Sequence, residues 1–138
     1  MIDEAEYIKE RADDQIRWYS EKGSKNKMLY YSSKIIEIFS TSMIILLVNF
    51  VDNDYSKYAI SLFSLVVAIS ISISHIFKFH ENWISYRTTS ESLKHEKNIY
   101  IAGCPPYNSE DSFCLFVENI ESLISRENSE WKRVVQKQ

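Results

Sequence analysis

Twenty consecutive residues, Tyr58 to Phe77 ("YAISLFSLVVAISISISHIF"), contain no Asp, Glu, Lys or Arg. A helix rising ~1.5 Å per residue crosses a ~30 Å hydrocarbon core in that length. Inside the run, "AISISIS" alternates apolar and polar residues as a half-buried strand does. A strand would need partners, because an open sheet edge cannot lie in lipid, and no other segment alternates over a comparable length. The chain also has only two Gly and two Pro among 138 residues, too few for the turns of a strand-rich fold. The run therefore predicts a transmembrane helix.

A second apolar stretch precedes it. Ile38 to Val51 carries no formal charge, and extending it back to Ile35 reaches the lower length limit of a span while admitting Glu37. The expectation is an all-α membrane protein with a two-span helical hairpin over residues 35–79, its spans at 35–51 and 58–79. Residues 1–34 form an N-terminal cytoplasmic helix and lead-in; residues 80–138 form a helical extension, a GCPPY turn and a C-terminal helix. The alternative is a soluble four-helix bundle with two unusually apolar central helices.

Arg17, Lys22, Lys25, Lys27 and Lys34 precede the first span, and Lys78, Arg87, Lys94 and Lys97 follow the second. The connecting loop has Lys57 beside Asp52 and Asp54. By the positive-inside rule both termini are cytoplasmic, giving a multi-pass protein of the inner membrane. The N-terminus "MIDEAEYIKERADD" is acidic and polar, unlike a cleavable signal.

The flanks also have helical periodicity. Ala5, Ile8, Ala12, Ile16 and Tyr19 make one face of a helix expected to end by Gly23, after which Lys25 leads into the first span. Phe79, Trp83, Tyr86, Leu93 and Tyr100 continue the second span's helix; with no Gly or Pro from Asp54 to Ala102, one unbroken helix is expected. Gly103 supplies a left-handed cap, and Pro105 and Pro106 forbid continuation. Asn108 or Ser109 is expected to cap the last helix, with Glu110 and Asp111 favourable to its dipole. Its apolar set is Phe113, Phe116, Val117, Ile120, Leu123, Ile124, Trp131 and Val134. Trp18, Trp83 and Trp131 are expected to form the aromatic centre of the cytoplasmic bundle.

At ~100° per residue, Ser61, Ser64, Ala68, Ser72 and His75 fall within about 80° of one another, with Ser70 and Ser74 nearly opposite. Such a stripe serves either helix packing or the lining of a pore in a homo-oligomer. Glu37 shares a face with Ser40 and Thr41, and in a hairpin it lies at the depth of His75. A Glu37–His75 pair, a ring of carboxylates and a carboxylate snorkelling to the interface are all open there.

The net charge of −3 has no basic surplus to suggest nucleic acid. His75, His80 and His95 are scattered, Cys104 and Cys114 lack metal-ligand spacing and read as free thiols in a reducing compartment, and no phosphate loop occurs. Neither an enzyme nor a cofactor is expected.

Three segments carry a family likeness: "YIKERADDQIRWYSEKGSKNKMLYY", "YRTTSESLKHEKNIYIAGCPPY" and "FVENIESLISRENSEW". The matching positions are Arg11, Gln15, Trp18, Tyr19 and Lys27, then Tyr86, Arg87, Glu91, Leu93, Lys94, Glu96, Tyr100 and Tyr107, then Glu127 and Trp131. In that order, around two hydrophobic runs, they resemble the SLATT group of small bacterial two-transmembrane proteins, which includes a domain of unknown function. The resemblance implies a membrane effector of bacterial conflict systems that opens pores or perturbs the bilayer when a separate nucleotide-sensing protein signals. Along the helix, Arg87 and Glu91 are spaced to pair one turn apart.

Overall fold

The computed structural model describes residues 3–109 and 111–136, with side chains through Arg126. The chain is helical throughout, with no strand among the described residues. It runs α1 (Glu4–Tyr7), a π-helical turn (Ile8–Ala12), α2 (Asp13–Leu47), a 3-10 turn (Val48–Phe50), α3 (Asp54–Phe77), α4 (Phe79–Ile101) and α5 (Ser112–Gln136). Two compact units result: a bundle unit, Met1–Ser24 with Ile84–Gln138, and a hairpin unit, Lys25–Trp83.

The bundle unit contains the protein's buried apolar core. Leu93 of α4 and Phe116 and Ile120 of α5 are fully buried, with Tyr7, Ala12 and Tyr19 from the N-terminal segment and Tyr107 from the α4–α5 loop. Each such apolar side chain contributes ~1.5–3 kcal/mol relative to exposure. The rings pack edge to face around Phe116, with Tyr7 at 6.2 Å and Tyr107 at 6.0 Å, while Tyr100 stacks on it at 4.2 Å. Among the described side chains this tyrosine and phenylalanine cluster, and not Trp18 or Trp83, is the aromatic centre. Trp18 lies at the edge against Tyr19 and Tyr86, Trp83 belongs to the hairpin unit, and Trp131, Val134 and Glu127 lie outside the described side chains.

Three local expectations are corrected. Gly23 does not end a helix: α2 passes through it, and it sits where the chain approaches α4. A Cβ there would lie 3.5 Å from the Arg87 backbone nitrogen and 3.6 Å from the Tyr86 Cβ, ordinary van der Waals distances that leave room for a methyl group. Nor is there one helix from Asp54 to Ala102. Lys78 takes a left-handed conformation (φ 48°), closing α3 with its N–H on the Ser74 carbonyl at 3.0 Å. The Asn82 side chain donates to the Phe77 carbonyl at 2.9 Å, satisfying a group that the break would orphan. Lastly, α5 starts at Ser112; Asp111, whose carbonyl accepts from Leu115 at 3.1 Å, precedes it, displacing the expected cap at Asn108 or Ser109, and Glu110 lies outside the described residues.

The cap at Gly103 forms as its position predicts. With φ 63°, it donates to the Tyr100 carbonyl at 3.0 Å, and Cys104 donates to that of Ile99 at 3.3 Å. This is the paired hydrogen bonding of a Schellman motif.

In the hairpin unit, α2 and α3 run antiparallel, joined through the 3-10 turn and an Asn53 cap whose side chain accepts from Tyr55 N–H at 3.0 Å. Phe39 meets Phe63 at 6.4 Å, and the Ser33 and Ser74 hydroxyls bond at 2.9 Å. Both helices are long and apolar enough to cross a membrane.

The two glycines should respond oppositely to alanine. Gly23→Ala meets only ordinary contacts and removes a helix-interior glycine, so a gain of about 0.5–1 kcal/mol is expected. Gly103→Ala must hold a left-handed backbone and should lose about 1 kcal/mol or more. Denaturation of both variants in detergent, followed by circular dichroism, measures the pair.

Candidate functional site

The hairpin's polar positions divide into an inner and an outer set. The inner set starts from Ser70 and Ser74, one turn apart on α3, which face Ser33 of α2: Ser70 donates to the Ser33 carbonyl at 3.4 Å, and Ser74 shares the 2.9 Å hydroxyl contact. Small residues spaced by four allow this close approach. Higher on α2, Ser40 is buried and Glu37 nearly so, its side chain 13% exposed. Thr41, grouped with them on the helical wheel, is exposed and donates to the Glu37 carbonyl at 2.7 Å. Glu37 pairs with Lys34, Oε2 to Nζ at 2.7 Å, and not with His75. Its other oxygen, Oε1, is buried without a partner.

The outer set is Ser61, Ser64, Ser72 and His75, all exposed in the single chain. The three hydroxyls donate one turn back, to the carbonyls of Lys57 at 3.0 Å, Ile60 at 2.8 Å and Ala68 at 2.8 Å. The hairpin therefore packs through the Ser70–Ser74 face and leaves the longer stripe outward. His75 lines a cavity with Lys34, Lys78 and His80, residues that sequence reasoning did not single out as a site. In the sequence Lys34 and Lys78 stand out only as basic residues bracketing the spans, and no spacing brings His80 to them.

Around the polar positions the surface is apolar. Ile35, Ile38 and Phe39 on α2 and Leu62, Leu65 and Ile76 on α3 are exposed, Ile35 by 66% and Ile76 by 71%. One end carries Tyr30, Tyr31, His80 and Trp83, with Tyr30 and His80 4.9 Å apart, Tyr31 and Trp83 5.8 Å apart, and Lys27 over the Trp83 ring at 5.6 Å. The other end carries exposed Phe50, Tyr55 and Tyr58. Twenty residues separate Tyr30 from Phe50, a rise of roughly 30 Å.

In the bundle unit, the motif positions hold the fold together. Arg11 makes two bonds to Glu121, each 2.9 Å, and Tyr7 donates to the same carboxylate at 3.2 Å. Glu96 accepts from Tyr107 and from Asn119, the latter at 2.9 Å, and Asn119 also donates to the Tyr107 oxygen at 2.7 Å. Tyr19 is buried between Trp18 and Tyr86. Glu91 pairs with Lys94 at 3.0 Å, in place of the expected pairing with Arg87, whose backbone instead adjoins Gly23. No group of three or more His, Cys, Asp or Glu suited to a metal occurs among the described residues.

Residues 14–113 match a family described as Protein of unknown function (DUF4231). The chain belongs to that family. The match covers the hairpin and about half of the bundle unit, including Trp18, Tyr19, Tyr86 and the Arg87–Tyr100 block, and excludes Arg11 and Trp131. No curated protein and no solved structure matches the chain significantly.

The polar network of the bundle unit sets a pH response. Burial, and secondarily the Glu121 charge, push the Tyr7 phenol up to about 12. Burial together with Glu96 does the same for Tyr107, and burial with Glu4 for Tyr100, each to about 12. A raised pKa means that the folded state holds the proton more tightly than the unfolded state. That stability is complete below the ordinary tyrosine value of about 10 and is lost as pH rises through the folded value. Glu121 runs the other way: its hydrogen bond from Arg11 holds it below the usual carboxylate range, so its contribution is lost in acid. Melting temperature of the full chain in detergent should fall between about pH 10 and 12, and Tyr107→Phe should reduce that slope.

Proposed function

We propose that this protein is a membrane-embedded helical hairpin that assembles into an oligomeric pore or membrane-perturbing effector. The observation that carries the reading is the hairpin's exposed apolar shell, bounded by two aromatic tiers roughly 30 Å apart. Apolar residues all round two packed helices are unsuited to water and suited to lipid. Basic residues cluster on both sides of the Tyr30–Trp83 end, which by the positive-inside rule supports a cytoplasmic side for that end, the bundle unit and both termini, with Asp52–Asp54 outside.

Two helices cannot enclose a water path, so conduction needs several copies. In such an assembly the outer Ser61–Ser64–Ser72–His75 stripe is the surface available to face a central axis, with Glu37 one helix away near its cytoplasmic end. The resemblance to SLATT proteins adds the biological setting: a bacterial defence system in which a separate nucleotide-sensing protein triggers the effector. A second reading is a non-conducting membrane scaffold that presents the bundle unit to a partner. It is favoured by one observation, that each outer serine hydroxyl is already satisfied by its own helix.

Ion flux from purified protein in liposomes separates the two readings. A pore predicts flux in the wild type and at least a tenfold reduction in Ser64→Leu/Ser72→Leu, since closing a polar path with two leucines opposes hydrated ions by more than about 1.4 kcal/mol. Absence of flux under every tested ligand and voltage sinks the pore and leaves the scaffold. Glu37→Gln should lower cation preference in the pore; an unchanged preference removes Glu37 from selectivity.

A further inference from the structure

At the cytoplasmic end of the hairpin, α2, the last turn of α3 and the first turn of α4 surround an open-sided cavity of about 290 Å³. Its wall gathers Lys34, Lys78, His75 and His80, with the hydroxyl-bearing Tyr30 and Ser74 and a single carboxylate, Glu81. Lys34 is shared with Glu37 and Ser74 with Ser33, so the cavity is braced by the hairpin's own hydrogen bonds. Lys78 is half-buried and has no carboxylate partner among the described residues. It is also the one non-glycine residue among them with a positive φ, a conformation costing ~1–2 kcal/mol. Strain held at a cavity-lining residue points to use of that side chain rather than to packing, because glycine or asparagine would close α3 more easily.

We propose that this cavity binds the phosphate of a phospholipid headgroup. Ammonium groups, imidazoles and hydroxyls are the donors that a phosphodiester takes, and the start of α4 adds the positive end of its dipole. Lys34 is already paired with Glu37 and Glu81 stands on the same wall, so Lys78 is the one unpaired lysine of the cavity among the described residues, which suits a singly charged diester better than a polyphosphate. Free phosphate has the same chemistry, but the cavity's surroundings favour lipid. It lies beside the tier of Tyr30, His80 and Trp83 and next to exposed Ile76 and Phe77, where headgroup and acyl chain meet. The site would tie the hairpin to anionic lipid at the level where α3 gives way to α4. The assignment rests on the membrane reading of the hairpin.

The test uses full-length protein, vesicles of phosphatidylcholine with or without phosphatidylglycerol, and native mass spectrometry of lipid retained in detergent. Wild type should retain phosphatidylglycerol preferentially. Lys78→Asn, which tolerates the left-handed backbone, should lose about fivefold of that preference, and Lys78→Asn/His80→Gln more, with helicity unchanged. Flotation with vesicles but no lipid preference, or variants equal to wild type, overturns the site while leaving the membrane reading intact. Failure to float with any vesicle overturns both. Binding of inorganic phosphate alone, with displacement of the lipid, overturns the lipid source and assigns the cavity to a soluble phosphate.

Discussion

Two helices packed side by side bury one stripe of each and no more. In the α2–α3 hairpin that stripe combines Ser33, Ser40, Ser70 and Ser74 with half-buried Met43, Ile44, Leu47, Phe63, Val66 and Val67, while Ile35, Ile38, Phe39, Leu62, Leu65 and Ile76 remain outside. The outer faces are apolar as well, whereas a soluble helical pair turns polar faces outward. Small polar residues draw the backbones together through hydrogen bonds that a low-dielectric surrounding preserves. The proposed membrane insertion starts from that apolar exterior.

The bundle unit follows the opposite rule and builds an ordinary core. Phe116, Ile120 and Leu93 are sealed from water, and the polar atoms that approach them are paired: Tyr7 and Arg11 on Glu121, Tyr107 and Asn119 on Glu96. These tie the first helical segment and the α4–α5 loop to α5. The positions that most resemble a family signature are therefore largely those that hold helices to one another.

Much of the helical plan was legible in the chain. Uncharged runs, scarce Gly and Pro, and the GCPPY stop gave the helical class, the hairpin and the Gly103 cap. The failures share a cause. Gly23 looked like a helix end because sequence shows its flexibility but not its surroundings; only the structure shows α2 running on through it beside Tyr86 and Arg87. Lys78 gave no warning of a break, because a left-handed lysine is affordable when Asn82 satisfies the freed carbonyl. The Trp18–Trp83 grouping failed for the same reason, since helical periodicity says nothing about which helix stands opposite.

The serine positions show the division most plainly. The sequence alone determined that α3 has two polar faces, because a period of 3.6 residues places Ser61, Ser64, Ser72 and His75 on one side and Ser70 and Ser74 on the other. It also determined, through charge and length, that the helices are apolar enough to span a bilayer. Which face meets α2 was decided only in three dimensions. Ser33 stands one turn below Glu37, and when α2 folds back against α3 its hydroxyl and carbonyl reach Ser74 and Ser70, and nothing on the longer stripe. Local spacing fixes directions around one helix; a contact needs the register of two, and that register is set by the turn at residues 48–53 and by the pairing itself.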